Sequence, residues 1–309
     1  SLSELSKELE DHELSLFHLS EGARLTKIRS EKGMIYSRLA DLAFNKKKYE
    51  LAEEAYLNVI AHSLSKEKVE DAHLQILKIY RNQKKYKSAS RKIKGMLIDD
   101  KFKRIAGNLE LELVQLYKSQ GEFSEIESRL ESIVNDYQRT PVSAEAYYQL
   151  GQIYTSEKWN LEKAKESFDA VSKESSKSFF SPMAKSRSKA ITLYQDSMKD
   201  IENHEKSIAI DSVNTSSEND STSLKVSLVA PKKSIPELYY QIADLEAFTF
   251  QRFSESILLL NKIMTEHSES DFKPKAMFAL VFVYNSIGDS SLSDDMKNDI
   301  LNEFPNSEY

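Results

Sequence analysis

Six histidines, His12, His18, His62, His73, His204 and His267, are the side chains best suited to move a proton or hold a metal near neutral pH. None of them stands at HExxH or a similar ligand spacing. Cysteine is absent, which removes disulfides, thiolate ligands and cysteine nucleophiles together, so a zinc site would need carboxylates gathered from distant segments. The 7 glycines never approach the GxxxxGKS or GxGxxG patterns that bring backbone amides to a phosphate. A Ser-His-Asp triad assembles in space and is left open by spacing, but no GxSxG elbow is present. Carboxylates are numerous, and solvation with i,i+4 pairing on helix surfaces accounts for them more simply than acid–base roles. These patterns single out no catalytic residue, no metal and no cofactor.

What remains is electrostatic. Between Arg81 and Arg104 the chain carries Arg81, Lys84, Lys85, Lys87, Arg91, Lys92, Lys94, Lys101, Lys103 and Arg104 against only Asp99 and Asp100. Such a stretch can attract an acidic protein, anionic lipid or nucleic acid, or be a solvated helix face whose lysine stems cover apolar neighbours. The second reading is favoured. Aromatic residues suited to base stacking are scarce there, which makes nucleic acid the least favoured partner. The formal charge of −6 is uneven: residues 201–309 hold 18 acidic and 9 basic side chains, net −9, leaving 31 acidic and 34 basic, net +3, for residues 1–200.

The elements that position these charges are helices. Gly and Pro are few, 7 and 6, charged residues reach 30%, and apolar positions recur at helical rather than alternating spacing. No apolar run approaches the roughly 18–20 residues needed to span a bilayer. Residues 3–31 read as a leading helix, with Leu2, Leu5, Leu9, Leu16 and Leu19 roughly on one face. A step of 37 residues then links Tyr154 to Tyr117, Tyr80 and Ala43, and Tyr147 to Glu110, His73 and Tyr36. Second helices start at Tyr49, Tyr86 and Phe123, with Ala52, Ala89 and Ile126 three residues later and Tyr56, Ile93 and Leu130 as large buried residues.

The fourth unit slips by about one residue at TSEKWN, where Trp159 is expected to pack over the turn, and resumes with Leu161, Ala164, Phe168 and Val171. A further helix is predicted from near Pro182 through Ala184, Ala190, Leu193 and Met198 to about Glu202. Residues 203–234, rich in Ser, Asn, Asp and Thr, are predicted to be a disordered insertion or linker, with the strand-like patch LKVSLV at Leu224–Val229. Repetition returns where Tyr240, Ala243 and Ala247 stand 37 residues before Met277, Leu280 and Tyr284. Helices are expected near 236–251 and 254–267, then near 274–287 and 292–303, the last unit truncated.

The domain organisation expected is a leading or capping helix at 1–32, an array over 33–202, the insertion at 203–234 and two more helix pairs over 235–309. The units of the array lie near 33–69, 70–106, 107–143 and 144–180. A start at Ser1 and an end within FPNSEY read as a piece of a longer or processed protein, one that could have lost a signal peptide or lipid anchor.

YYQLGQIY, Tyr147 to Tyr154, places its aromatics around Leu-Gly at the spacing W-x2-L-G-x2-Y. There the sequence resembles tetratricopeptide-repeat proteins. Through NDYQRTPVSAEAYYQLGQIY, HSESDFKPKAMFALVFVY and EFPNSEY it is similar, more narrowly, to the longer repeats of bacterial envelope proteins of the Tol-Pal-associated periplasmic coordinator and outer-membrane assembly lipoprotein type. It departs from them where Gln138 follows Tyr137 in place of Pro and where only Gly151 supplies the Leu-Gly pair.

The resemblance implies an all-α, right-handed superhelical solenoid of antiparallel helix pairs whose concave groove binds protein segments, a protein with no catalytic chemistry of its own and not an enzyme. It implies a periplasmic or outer-membrane-associated location, with the cytoplasm as alternative. The first-helix positions that face such a groove map onto Lys78, Arg81 and Asn82, then Gln115 and Lys118, then Tyr148 and Gln152. A polar, basic groove of this kind is expected to hold an acidic segment or C-terminal tail through charge-assisted hydrogen bonds. The alternatives are self-assembly through the terminal repeats, and a regulatory or targeting module of a larger protein whose catalytic domain lies elsewhere.

Overall fold

The last turn of each first helix shows how the repeat is built. Lys47, Lys84 and Gly121 adopt left-handed backbone with φ of 58°, 57° and 76°, and each is 37 residues from the next. The residue after each donates its N–H five residues back, Lys48 to the Ala43 carbonyl (2.9 Å), Lys85 to Tyr80 (2.8 Å) and Glu122 to Tyr117 (3.0 Å). This reversal satisfies carbonyls left over at the helix end and launches the partner helix. Gly288 (φ 83°) repeats it 37 residues after Gln251 (φ 59°), with Asp289 bonding back to Tyr284 at 2.9 Å. At Trp159 (φ 47°) the step is one longer, and Asn160 reaches six residues back, to Tyr154, at 2.8 Å. The slip expected in the fourth unit is this one extra residue in the turn.

This computed structural model describes residues 12–214 and 233–305. Among them the elements run α1 (His12–Leu25), α2 (Arg29–Asn45), α3 (Tyr49–His62), α4 (Lys66–Asn82), α5 (Tyr86–Leu97), a 3-10 helix (Asp100–Ile105), α6 (Ala106–Gln120), α7 (Ile126–Asp136), α8 (Pro141–Ser156), α9 (Leu161–Glu174), α10 (Ser181–Asn214), α11 (Ile235–Asp244) continued by a π-helical turn (Leu245–Thr249), α12 (Phe253–Glu266), α13 (Lys273–Ser286) and α14 (Ser290–Glu303). No strand occurs among the described residues. The fold class is all-α, with helices packed in consecutive pairs. No helix is long and apolar enough to cross a membrane among the residues described.

The chain divides into two compact units, Ser1–Leu150 and Gly151–Tyr309. In the first, Leu39, Ala40, Ala43, Ala52, Tyr56 and Val59 join α2 to α3 and pack with Ala72, Ile76 and Ile79 of α4. A neighbouring cluster joins Ile93 and Met96 to Phe102, Leu109, Leu113 and Leu116. In the second, Leu238, Ile242, Leu260, Ile263, Leu280 and Val283 form the core of α11–α13. Alanine at the closest contacts lets these helices approach, as ridge-and-groove packing requires. Side-chain caps set several helix starts: Ser65 Oγ accepts from Lys68 N (3.3 Å), Asn160 Oδ1 from Lys163 N (3.0 Å) and Asp289 Oδ1 from Leu292 N (3.1 Å).

Several boundaries depart from expectation. The leading segment gives α1 at His12–Leu25, with Leu16 and Leu19 buried, and Leu2, Leu5 and Leu9 lie outside the described residues. The second helix of the third pair begins at Ile126, three residues after Phe123, which is left 57% exposed. A cavity of about 560 Å³, lined by Tyr117 and residues 121–125, occupies the missing turn. Helix α10 continues to Asn214, twelve residues beyond the expected end near Glu202. The Lys206–Glu202 i,i+4 pair (2.5 Å) and the bond from Ser207 Oγ to the Asn203 carbonyl (2.9 Å) hold the added turns. Residues 203–214 of the expected linker are therefore helical, while LKVSLV lies outside the described residues. The buried stripe of α10 is Ala184, Ser188, Ile191, Ser197 and Ile201, and Leu193 and Met198 are exposed. The last pair has two 14-residue helices, Lys273–Ser286 and Ser290–Glu303, where helices are expected near 274–287 and 292–303.

Candidate functional site

Helices α4, α6 and the first part of α8, all in the first unit, carry most of the residues expected to meet a partner. Arg81 on α4 pairs with Glu112 on α6 at 3.5 Å, both side chains largely withdrawn from solvent, 25% and 13% exposed. Gln115 Nε2 and Lys118 Nζ, one turn apart on α6, both donate to Gln149 Oε1 on α8, at 3.1 and 2.8 Å. Gln149, 4% exposed, donates its own Nε2 to Glu145 Oε1 at 3.3 Å. One carboxamide oxygen thus takes two donors that would serve a carboxylate equally well.

Burial pushes the Glu112 carboxyl above the usual glutamate range, against the lowering influence of Arg81 and then Lys78. Burial also raises Glu145, with the charge of Glu112 adding to it, while Lys78, the Gln149 hydrogen bond and Lys118 pull it down. Lys78, Arg81 and Lys118 therefore face two partly desolvated carboxylates. The five charges leave one net positive, so the face is mixed rather than plainly basic.

Of the residues expected from sequence, Lys78, Arg81, Gln115 and Lys118 come together in this network. Asn82 is exposed beside it. Tyr148 is buried, at 9% exposure, so its ring serves packing instead of an open groove surface. Gln152 is exposed and lies past Leu150, in the second unit. Glu112, Glu145 and Gln149 escaped sequence reasoning, which assigned carboxylates to solvated surfaces. The signal was present, because Gln75, Glu112 and Gln149 follow the 37-residue step exactly one turn ahead of Lys78, Gln115 and Gln152.

The basic stretch Arg81–Arg104 disperses into separate roles. Arg81 turns to Glu112, Arg104 Nε donates to buried Glu70 at 2.7 Å, and Lys101 reaches Asp99 at 2.8 Å. Lys85 and Lys92 lie over the Tyr80 ring, at 5.7 and 5.6 Å from its centroid. Burial lowers Lys92. Burial, helped by the bond to Glu53 (2.7 Å), pushes the Tyr80 hydroxyl up to about 12.

Two of the histidines enter packing. His73 stands edge-on to Phe102 at 5.0 Å and burial lowers it, while His62 stacks on Tyr36 at 6.1 Å. Among the described residues no three metal-ligating side chains converge.

Trp159 closes the turn it was expected to cover, but its ring also packs edge-on against Tyr194 (5.7 Å) and Phe250 (5.3 Å). The Arg252 guanidinium lies 3.7 Å from its centroid. Arg252 in turn pairs with Glu246 at 3.2 Å, which accepts from the Tyr194 hydroxyl at 2.8 Å.

Comparison with known proteins adds the following. No curated protein sequence matches the chain. Among solved structures it is similar to pilF of Pseudomonas aeruginosa, at 12% identity over 90% of this chain and 95% of that one, with a TM-score of 0.38. It is also similar to the C-terminal part of a TPR repeat-containing protein from Cytophaga hutchinsonii, at 13% identity over 99% and 95%, with a TM-score of 0.42. Residues 144–177, which take in most of α8 and all of α9, match the tetratricopeptide repeat family.

Proposed function

We propose that the chain is a non-enzymatic scaffold that holds a segment of a partner protein against α4, α6 and α8, and that the segment is acidic. The observation that carries this reading is the donor pair Gln115 Nε2 and Lys118 Nζ converging on the Gln149 carboxamide oxygen. An incoming aspartate or glutamate offers the same acceptor with a full charge, and the ammonium–carboxylate bond to Lys118 would be stronger than the ammonium–carboxamide bond it displaces. A preformed helical face limits the ordering cost of such binding. Resemblance to envelope repeats supports a place in a bacterial cell-envelope complex, which fractionation of source cells with an antibody to the chain would test.

The direct test is affinity capture with the wild-type chain beside a Lys78→Ala, Arg81→Ala, Lys118→Ala variant, with crosslinked segments identified. The expected result is a retained segment rich in Asp and Glu that is lost from the variant while helicity is unchanged. Equal retention by both chains, or a crosslinked segment with no acidic excess, overturns the reading. A second reading, self-association, is favoured by Phe278 and Phe282, which pack edge-on at 4.9 Å yet stay 38% and 48% exposed on α13. A mass measurement in solution decides between a lone chain and a stack of copies.

A further inference from the structure

The second unit holds a small polar pocket walled by the C-terminal end of α8, by α10 and by the π-helical turn after α11. Its volume is about 190 Å³, and Gln152, Ser156, Arg187 and Gln251 supply polar side chains to it. Phe168 also lines it. That ring can lie there because residue 151 is glycine: a Cβ on Gly151 would stand 2.6 Å from Phe168 Cε1.

The π-helical side of the pocket is fixed as well. Arg252 N bonds six residues back to the Glu246 carbonyl at 2.7 Å, the same one-residue excess seen at Trp159, and Phe250 packs edge-on against both Trp159 and Tyr194. Two turns with an added residue therefore meet where Trp159 packs against Phe250, and Phe250 lines this pocket. The other helix-pair turns, at Lys47, Lys84, Gly121 and Gly288, lack it. π-Helical insertions of this kind are concentrated at functional sites.

The charge of the pocket is one-sided. Arg187, half-buried, donates one guanidinium nitrogen to the Thr249 carbonyl, and among the described residues no carboxylate stands within ion-pair distance of it. No acidic residue lines the pocket. The guanidinium has five N–H donors in a planar fork, so donors remain after the bond to Thr249. The volume is well below the roughly 300–1,000 Å³ of sites that enclose a drug-sized molecule, and is enough for one carboxylate with its stem.

We propose that this pocket receives the carboxylate of a single aspartate or glutamate side chain from a bound peptide, with Arg187 as counter-ion and Gln152 and Gln251 as neutral hydrogen-bonding partners. It is a site separate from the face on α4, α6 and α8, and does not depend on that reading.

The test follows the Arg187 Nε–H signal by NMR in the full chain during titration with N-acetylglutamate amide, a blocked glutamate. N-acetylglutamine amide and inorganic phosphate serve as parallel probes. The expected result is a saturable shift with the glutamate probe at roughly millimolar concentration, worth about 4 kcal/mol, with no shift from the glutamine probe and a weaker response to phosphate. The shift should persist in the Lys78→Ala, Arg81→Ala, Lys118→Ala variant, which separates this site from the first. Gln152→Glu keeps the Arg187–Thr249 contact and places a competing carboxylate at the mouth, and should weaken the probe at least tenfold. No saturable shift, a glutamine response equal to the glutamate one, phosphate binding as tightly as the carboxylate, or Gln152→Glu binding unchanged would each overturn the proposal.

Discussion

Glu145 shows how a single residue sets the character of the candidate face. Burial and the neighbouring Glu112 charge raise its carboxyl above the usual range, so the folded chain holds that proton more tightly than the unfolded chain does. Stability from this group is then greatest below the unfolded-state value of about 4.3, and it declines as pH rises from there through the raised folded-state value. Glutamine at this position keeps an acceptor for Gln149 Nε2 and carries no charge. Glu145→Gln should therefore raise stability at pH 7, by on the order of 1 kcal/mol, with the gain fading below about pH 4. Thermal melts of both chains at the two pH values check this. A variant equally or less stable at pH 7 would mean that Lys78 and Lys118 outweigh the burial cost. The same substitution makes the face more positive, so capture of an acidic segment should strengthen alongside.

At the scale of helices, Gly151 and Phe168 define how closely α8 and α9 pack. Three Phe168 ring carbons would lie 2.6–2.8 Å from a Cβ at position 151, and the ring, 2% exposed, could give way only by moving into the pocket that it lines. Gly151→Ala should therefore destabilise the second unit by about 1–3 kcal/mol, read by urea denaturation. Phe168→Leu in the same chain should recover part of the loss by making room, and a full additive loss would show that the ring is not the obstacle. The Leu-Gly pair in YYQLGQIY pointed to this contact, because its small residue has a packing purpose that spacing reveals. Helix order and the 37-residue step were legible for the same reason: alanines and rings recur where helices touch. The late start of α7 at Ile126 was hidden, since Phe123 matches Tyr49 and Tyr86 by register but leaves its pair unfilled. The added turns of α10 were hidden too, because residues 203–234 taken together are rich in Ser, Asn, Asp and Thr, and the local Glu202–Lys206 and Asn203–Ser207 contacts do not show in that composition. Half of the candidate face, its cations, could be placed by register. Its carboxylates and Gln149 could not, since only the folded chain shows that they are withdrawn from water and turned toward those cations.

For the whole molecule, the division at Leu150 and Gly151 has a measurable consequence for unfolding. In chains built from repeated helix pairs, stability is a sum of local contributions and neighbour contacts, so separate stretches can melt separately. The single tryptophan, Trp159, belongs to the second unit, and its ring reports on that unit through Tyr194, Phe250 and Arg252. Ile76, fully buried in the first unit, offers a substitution that weakens the other side alone. Ile76→Ala should cost about 2–5 kcal/mol locally, and with a slope of about 1–3 kcal/mol per molar urea the helical signal from the first unit should be lost at least roughly 0.7 M earlier. Tryptophan fluorescence should keep its wild-type midpoint, giving two curves where the wild type shows closer ones. If the fluorescence midpoint moves by the same amount, the two units unfold as one cooperative body, and a partner seated on α4, α6 and α8 would then stabilise the Arg187 pocket through the chain itself. If it stays, the two candidate sites belong to parts of the molecule that can be occupied, and lost, one at a time.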